Sequence, residues 1–235
     1  MAERFHCKQF SIRHDRCAMK VGTDALLLGA WAKLPSTGAV LDIGAGSGVL
    51  SLMVAQRCLG KLPITALEID PEAAQQAQEN VAESPWPEAI SVAQADALHW
   101  QPTNRFELII SNPPFFADSL GSPNQTRHQA RHTDSLPFTE LLARAAQWLT
   151  SSGQFNLVLP VTSGLEVVQR ANQTGWHVQR QCEVQPTPNK APHRWLLSLT
   201  RQACVTEASS LVIKDQSGDY SPEYRALTQA FYLRF

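Results

Sequence analysis

The chain has 235 residues, 43% apolar and 17% charged, with a formal net charge of −1; this is a globular composition without a disorder signature, and it argues against a generally basic nucleic-acid binder. No apolar run reaches the roughly 18 residues that span a bilayer, and residues 1–30 open on Glu3, Arg4, His6 and Lys8 without a signal-peptide core, so a cytoplasmic enzyme with no membrane partner is expected. The five cysteines (Cys7, Cys17, Cys58, Cys182, Cys204) contain no C-x-x-C, which indicates neither a disulfide framework nor a zinc site, and no metal is expected.

Strand and helix signals alternate along the chain, the pattern of an α/β, doubly wound and mostly parallel sheet with helices on both faces. Thr23 is placed to cap a helix over Asp24–Lys33. Ala39–Ile43 is a short apolar strand, and Val49, Leu50, Met53 and Val54 follow at helical spacing. Ile64–Leu67 reads as a second strand. Asp70 then Pro71 is a good helix start, because Asp can cap and Pro fits the first helical position. Ala73, Ala77 and Val81 line one face of that helix. Ile90–Val92 and Phe106–Ile110 are further strands.

Residues 112–135 are polar and irregular, and a loop of that length inside a compact fold is usually functional or mobile. After it come a helix over Phe138–Leu149, a strand at Phe155–Leu159, and a helix through Leu165, Val168 and Ala171 that Gly175 stops. Val178–Val184 and Trp195–Thr200 read as strands joined by a Pro-rich turn, followed by a strand at Leu211–Ile213 and a short helix near Pro222–Gln229. With no repeat and no linker, residues 1–235 are taken as one domain, of which 1–35 form an extension on the cofactor side.

Two motifs carry chemistry. The first is the loop Gly44-Ala45-Gly46-Ser47-Gly48 between strand and helix, preceded by Asp42. Glycines there let backbone turn sharply and approach a ligand closely. Val49 occupies the position of the third Gly in the dinucleotide fingerprint, which counts against NAD. Glu68 lies 24 residues after Gly44, at a strand end, where it can accept from both hydroxyls of a ribose; Asp96, past the next strand, can accept from an adenine amino group. Each acid alone reads equally well as a surface carboxylate, and Asp42 as a tether for the loop amides. Three acids at the carboxyl ends of consecutive strands are harder to dismiss, because open α/β sheets bind ligands at that edge.

The second motif is Asn112-Pro113-Pro114-Phe115, directly after a strand. An adenine N6 or a glutamine amide nitrogen is a poor nucleophile because its lone pair is delocalised. The Asn112 side-chain oxygen and the Pro113 carbonyl can each accept one N–H and turn that lone pair towards an electrophile, and proline's fixed φ holds its carbonyl in place. Phe115 offers a flat face to a base, worth about 1–3 kcal/mol. Proline-rich turns also end strands for purely structural reasons.

On these strings the chain resembles the class I S-adenosylmethionine-dependent N6-adenine methyltransferases that act on tRNA, and among them the bacterial group that modifies the adenosine 3′ of the anticodon in tRNA1(Val). The resemblance covers Phe10, His14 to Asp24, Leu41–Gly48, Asn80 to Pro85-Trp86, Ile109–Phe115 and the tail from Leu227 to Leu233. It implies a seven-stranded sheet with an antiparallel last strand. It also implies S-adenosyl-L-methionine as cofactor and S-adenosyl-L-homocysteine as product, bound by Asp42, Gly44, Ala45, Gly46, Gly48, Glu68 and Asp96, and a flipped-out adenosine at Asn112, Pro113, Pro114 and Phe115. Where the best-known member of the family has Tyr, Phe115 keeps stacking and loses a hydroxyl; Phe116–Gln125 resembles the family less than its flanks do.

Net charge is segregated. Residues 1–33 carry six Lys/Arg against three Asp/Glu, residues 61–107 two against eight, and residues 170–201 five against one. If the two basic stretches converge, they make a positive surface for a polyanion; otherwise they are solvated faces. Candidate tRNA contacts are Arg127, Arg131 and His132 after the second motif, and Lys190, His193 and Arg194 on the Pro-rich turn, expected near the rim of the site. Lys20 and Asp24 belong either to a lid over the methionine end of the cofactor or to a helix start. No obligate protein partner is indicated. The same amino-nitrogen chemistry also suits rRNA guanine N2, DNA adenine or protein glutamine N5, and a non-catalytic nucleoside-binding RNA protein and a dehydrogenase are further readings.

Overall fold

A computed structural model describes residues 4–113 and 138–234. In chain order it has a hairpin of β1 (Arg4–His6) and β2 (Ser11–Arg13), then α1 (Thr23–Trp31), β3 (Val40–Ile43), α2 (Val49–Cys58), β4 (Ile64–Glu68), α3 (Pro71–Ala82), β5 (Ile90–Gln94) and β6 (Phe106–Ser111). After the undescribed stretch come α4 (Phe138–Trp148), β7 (Leu149–Pro160), α5 (Val161–Gln173), β8 (His177–Gln185), β9 (Arg194–Thr200), β10 (Glu207–Val212) and α6 (Pro222–Thr228).

Among the described residues eight strands form the main sheet in the order β10-β8-β9-β7-β6-β3-β4-β5, and all run parallel except β9, which is antiparallel to both neighbours. The expected count of seven with an antiparallel last strand is therefore corrected. The Pro-rich turn after β8 returns the chain as β9, and β10 then adds to the free edge of β8 in parallel. Only Leu211 in β10 is buried, so most of that strand carries no apolar alternation to announce it.

Side-chain alternation sorts the central strands between two cores. Val40, Leu108, Ile110, Val158 and Leu196 pack on the α1, α2 and α6 side, whereas Leu41, Ile109, Phe155, Leu157 and Leu197 pack against α4 and α5. Phe155 is fully buried beside Trp176; truncating such an aromatic costs about 3–5 kcal/mol.

Two helix starts contrast. At α3 the sequence expectation holds: Asp70 accepts from the N–H groups of Glu72 (2.8 Å) and Ala73 (3.2 Å), with Pro71 at the first helical position. At α1 it does not. Thr23 is already helical, extended Gly22 holds the cap position, and no side chain caps the turn. The other end of α1 is closed from outside, where Arg57 of α2 donates to the carbonyls of Gly29 (2.8 Å) and Ala32 (2.7 Å).

Strand β3 has β4 on one side and β6 on the other. Strand order reverses there, which opens a crevice beyond the carboxyl ends of β3, β4 and β6.

Candidate active site

The glycine loop leaves β3 at this crevice. The N–H groups of Gly44 and Ala45 both donate to the Leu67 carbonyl (2.9 Å each), which folds the loop back over the end of β4. Gly44 (φ 71°) and Gly46 (φ 53°) hold the left-handed conformation that this fold requires. A Cβ built on either would meet nothing within 4 Å, so the loop presents bare backbone to open space.

Glu68 locks that geometry. Its Oε2 accepts from Gly46 N–H (2.7 Å) and its Oε1 from Asp70 N–H (2.9 Å), so one carboxylate ties the loop to the start of α3. Each oxygen keeps a further lone pair for a ligand. Asp96 accepts from Leu98 N–H (2.9 Å) and lies 2.7 Å from the His99 ring; the first of these, above all, holds its carboxyl below the usual range. Asp42 is different: it does not line the cavity. It is wholly buried, and Oδ2 accepts from the N–H (3.1 Å) and hydroxyl (2.7 Å) of Ser51, tethering α2 rather than the loop amides. Burial pushes its carboxyl up to about 7, against the Ser51 hydrogen bonds, which lower it.

On the neighbouring strand, Ser111 ends β6 beside Ile43, and its hydroxyl donates to the Ile43 carbonyl (2.7 Å), one further tie between the strand that leads to Asn112 and the strand that leads to the glycines. Asn112 follows. Its Oδ1 is buried and has no hydrogen-bond partner among the described residues, a costly condition for an acceptor unless a ligand supplies the donor. Pro114, Phe115, Arg127, Arg131 and His132 lie outside the described residues.

These pieces enclose a cavity of about 340 Å³, within the roughly 300–1,000 Å³ range of small-molecule sites. Of the residues singled out from sequence, Gly44, Ala45, Gly46, Glu68, Asp96, Asn112 and Pro113 line it. Gly48 does not; a Cβ there would face Ala77 of α3. The wall also contains Ile69, 63% exposed, and Leu98, apolar neighbours of the two acids and absent from the residues expected from sequence. An exposed isoleucine directly after a strand-end carboxylate is a signal that could have found one of them. Cys17 to Val21, from the segment between β2 and α1, form another part of the wall.

Comparison with known proteins gives this cavity a family. The model of the methyltransferase small domain matches residues 17–174. The chain belongs to that family. Proteins from Klebsiella pneumoniae (strain 342) and Salmonella typhi, each named tRNA1(Val) (adenine(37)-N6)-methyltransferase, are 48% identical over 231 residues, covering 97% of this chain and 94% of theirs. Among solved structures, one described as a predicted O-methyltransferase from Agrobacterium tumefaciens superposes with a TM-score of 0.70 at 21% identity, over 88% of this chain and 96% of that one. A glycopeptide N-methyltransferase complexed with S-adenosyl-L-methionine superposes at 0.56 and 14%, over 79% and 97%. These two likenesses concern the fold alone.

For this methyltransferase the segregated charge has a structural outlet. Arg4 and Arg13 pair with Glu83, just past the end of α3, and Arg16 with Glu79 on α3, so the basic N-terminus meets the acidic middle of the chain. In the second basic stretch Arg170 pairs with Glu166, Arg180 lies over the Trp31 ring, Arg194 pairs with Asp24 (2.8 Å), and Arg201 donates to the Thr174 carbonyl (2.6 Å). Of the two readings left open for the basic stretches, a shared positive surface or solvated faces, these pairings favour the second for the arginines named. The Arg194–Asp24 pair sits beside Ala25 of the cavity wall; Lys190 and His193 lie on the turn between β8 and β9, and none of the three lines the cavity. No helix among the described residues is long and apolar enough to cross a membrane, and no cluster of metal-ligating side chains occurs among them.

Proposed function

We propose that this methyltransferase moves a methyl group from S-adenosyl-L-methionine to the N6 amino group of the adenosine next to the anticodon of tRNA1(Val), leaving S-adenosyl-L-homocysteine and a proton that the methylated nitrogen releases to solvent. The observation that carries the reading is the buried Asn112 Oδ1, without a partner among the described residues, on the wall of a cavity that bare glycine backbone also lines. The names of relatives 48% identical over almost the whole chain supply the substrate.

The residues present fit the cofactor. Gly44 and Gly46 leave room for a ligand against the backbone, the carboxylates of Glu68 and Asp96 can accept from hydroxyl and amino hydrogens, and Ile69 and Leu98 give an aromatic ring apolar cover. S-adenosyl-L-methionine held there supplies a methyl group on a sulfonium that is already a leaving group. The protein's share is position and electrostatics. Asn112 Oδ1 accepts one hydrogen of the target amino group and the Pro113 carbonyl accepts the other, so the nitrogen lone pair points at the incoming carbon. Phe115 stacks on the base, which a single-stranded loop releases at low unstacking cost. Lys190, His193, Arg194, Arg127, Arg131 and His132 are candidates to hold the RNA backbone. Residues 1–35 act as an extension of the single domain on the cofactor side, a reading that Cys17 to Val21 in the cavity wall support, and the setting is cytoplasmic.

The test is transfer of a labelled methyl group into separate pools of unmodified tRNA, rRNA, DNA and protein, with nucleoside analysis of the product. N6-methyladenosine in the tRNA pool alone is expected. Label in protein instead would replace adenosine by glutamine as the target.

A further inference from the structure

Two amides on α3 take no part in the chemistry proposed above, yet both are buried. Gln76 and Asn80 are each 1% exposed and stand four residues apart, one turn of helix, on the same face. Neither lines the cavity. Amides buried to that degree need partners for a carbonyl and two N–H groups. Asn80 finds them in two separate segments: Oδ1 accepts from Arg13 N–H (2.9 Å), while Nδ2 donates to the carbonyls of Arg13 (2.8 Å) and Ser47 (2.9 Å). Gln76 Oε1 accepts from Arg16 N–H (3.1 Å) and from the Cys17 thiol (3.3 Å), and its Nε2 donates to Asp15 Oδ1 (2.8 Å). His14, itself buried, accepts from Val21 N–H through Nδ1 (2.9 Å) and closes residues 14–21 into a strap. Residues 17–21 of the strap are one wall of the cavity, and Ser47 belongs to the glycine loop in another.

We propose that Gln76 and Asn80 are positioning residues for the cofactor, fixing the strap against the glycine loop and so setting the width of the cavity without touching its occupant. The proposal rests on the reading of this cavity as the S-adenosylmethionine site. It separates binding from chemistry. The strap and the glycine loop hold the nucleoside, whereas Asn112 stands just past the end of β6, beyond the reach of either amide's hydrogen bonds, so loosening the brace weakens cofactor binding and leaves turnover at saturating cofactor alone.

The test is calorimetric titration of S-adenosyl-L-homocysteine into the full chain and its variants, with amide hydrogen exchange of residues 14–21 in the unliganded proteins. Asn80→Ala and Gln76→Ala should each raise Kd about tenfold, a fraction of what the loss of three modest hydrogen bonds would give if all of it fell on binding, with faster exchange at Arg16 and Val21 and unchanged exchange in the central strands. Gln76→Glu keeps the acceptor for Arg16 and Cys17 but sets a carboxylate against Asp15. Adding Asp15→Asn restores a donor opposite it, and the pair should recover Kd to within about threefold of the wild type, a rescue that general destabilisation would not permit. Alanine variants that bind as the wild type does overturn this inference alone, as does a weakened Gln76→Glu that Asp15→Asn fails to rescue. A wild-type chain that binds no S-adenosyl-L-homocysteine overturns the cofactor reading itself, and this inference with it.

Discussion

The two walls of the cavity treat their polar groups in opposite ways. On the glycine-loop side the Glu68 carboxylate holds two backbone N–H groups, and loop amides fold onto the end of β4. On the β6 side Asn112 Oδ1 is buried with no partner among the described residues. A satisfied group is scaffold, with its energy already in the fold. An unsatisfied buried acceptor is held at a cost of about 1–3 kcal/mol and is released from it when a donor arrives. One wall is therefore built to hold, and the other to react.

That contrast breaks most sharply at Asn112. Asn112→Ala should lower kcat by about 10²–10³-fold, the scale for removing one aimed polar group from a reacting centre, while Kd for the cofactor stays within about twofold of the wild type. Equal losses in kcat and in cofactor affinity would merge the two walls into one. Glu68→Gln attacks the holding wall. It places an NH₂ group where a carboxylate oxygen now accepts from Gly46 or Asp70, so the loop loses a tie and the site loses a charge. Cofactor Kd should rise about 10- to 100-fold with kcat at saturation little changed, since hydrogen bonds to charged groups are worth about 1.5–3 kcal/mol. Calorimetry with S-adenosyl-L-homocysteine reads the first quantity and saturated turnover the second.

The holding wall was the more legible in the sequence, for a physical reason. Gly44, Gly46 and the Asp70-Pro71 start are local devices: backbone that needs positive φ, and a cap followed by a residue that lacks an N–H. The roles of Gln76 and Asn80 were not legible, because their partners lie 33 to 67 residues away in the chain and only the fold brings them near. The β1–β2 hairpin and the start of β10 escaped for the same reason, being short or polar and paired by neighbours rather than by pattern. Strand β7 begins at Leu149, six residues before the apolar run at Phe155, because Ser151 to Gly153 carry no signal of their own.

Asp42 sharpens the comparison through pH. Its carboxyl titrates near 7 in the folded chain and near 3.8 in an unfolded one. Between those values the folded protein holds a proton that the unfolded chain has released, so this group makes stability fall as pH rises, by at most about 1.4 kcal/mol per pH unit. Asp42→Asn removes that proton from the balance. Denaturant unfolding from pH 4 to 7 should show a negative slope in the wild type that is diminished in the variant, and superimposable profiles would mean that Asp42 is ionised throughout.

The smallest effects concern the cations, and they test whether charge on this chain serves folding or substrate. Arg13 is paired with Glu83 at partial exposure, a contact of about 0.2–1 kcal/mol that salt weakens. Lys190 stands on the exposed turn between β8 and β9, and its carbonyl accepts from Gln185. Arg13→Ala should therefore cost a few tenths of a kcal/mol in stability and leave the salt dependence of tRNA binding unchanged. Lys190→Ala should leave stability unchanged and reduce the slope of log K against log salt by about one, the mark of a single lost phosphate contact. The opposite pattern would turn the assignment around: the N-terminal arginines would face the RNA, their α3 pairs would exchange for phosphates on binding, and the strap that carries Arg16 would be contacted by substrate on one side while it holds the cofactor on the other.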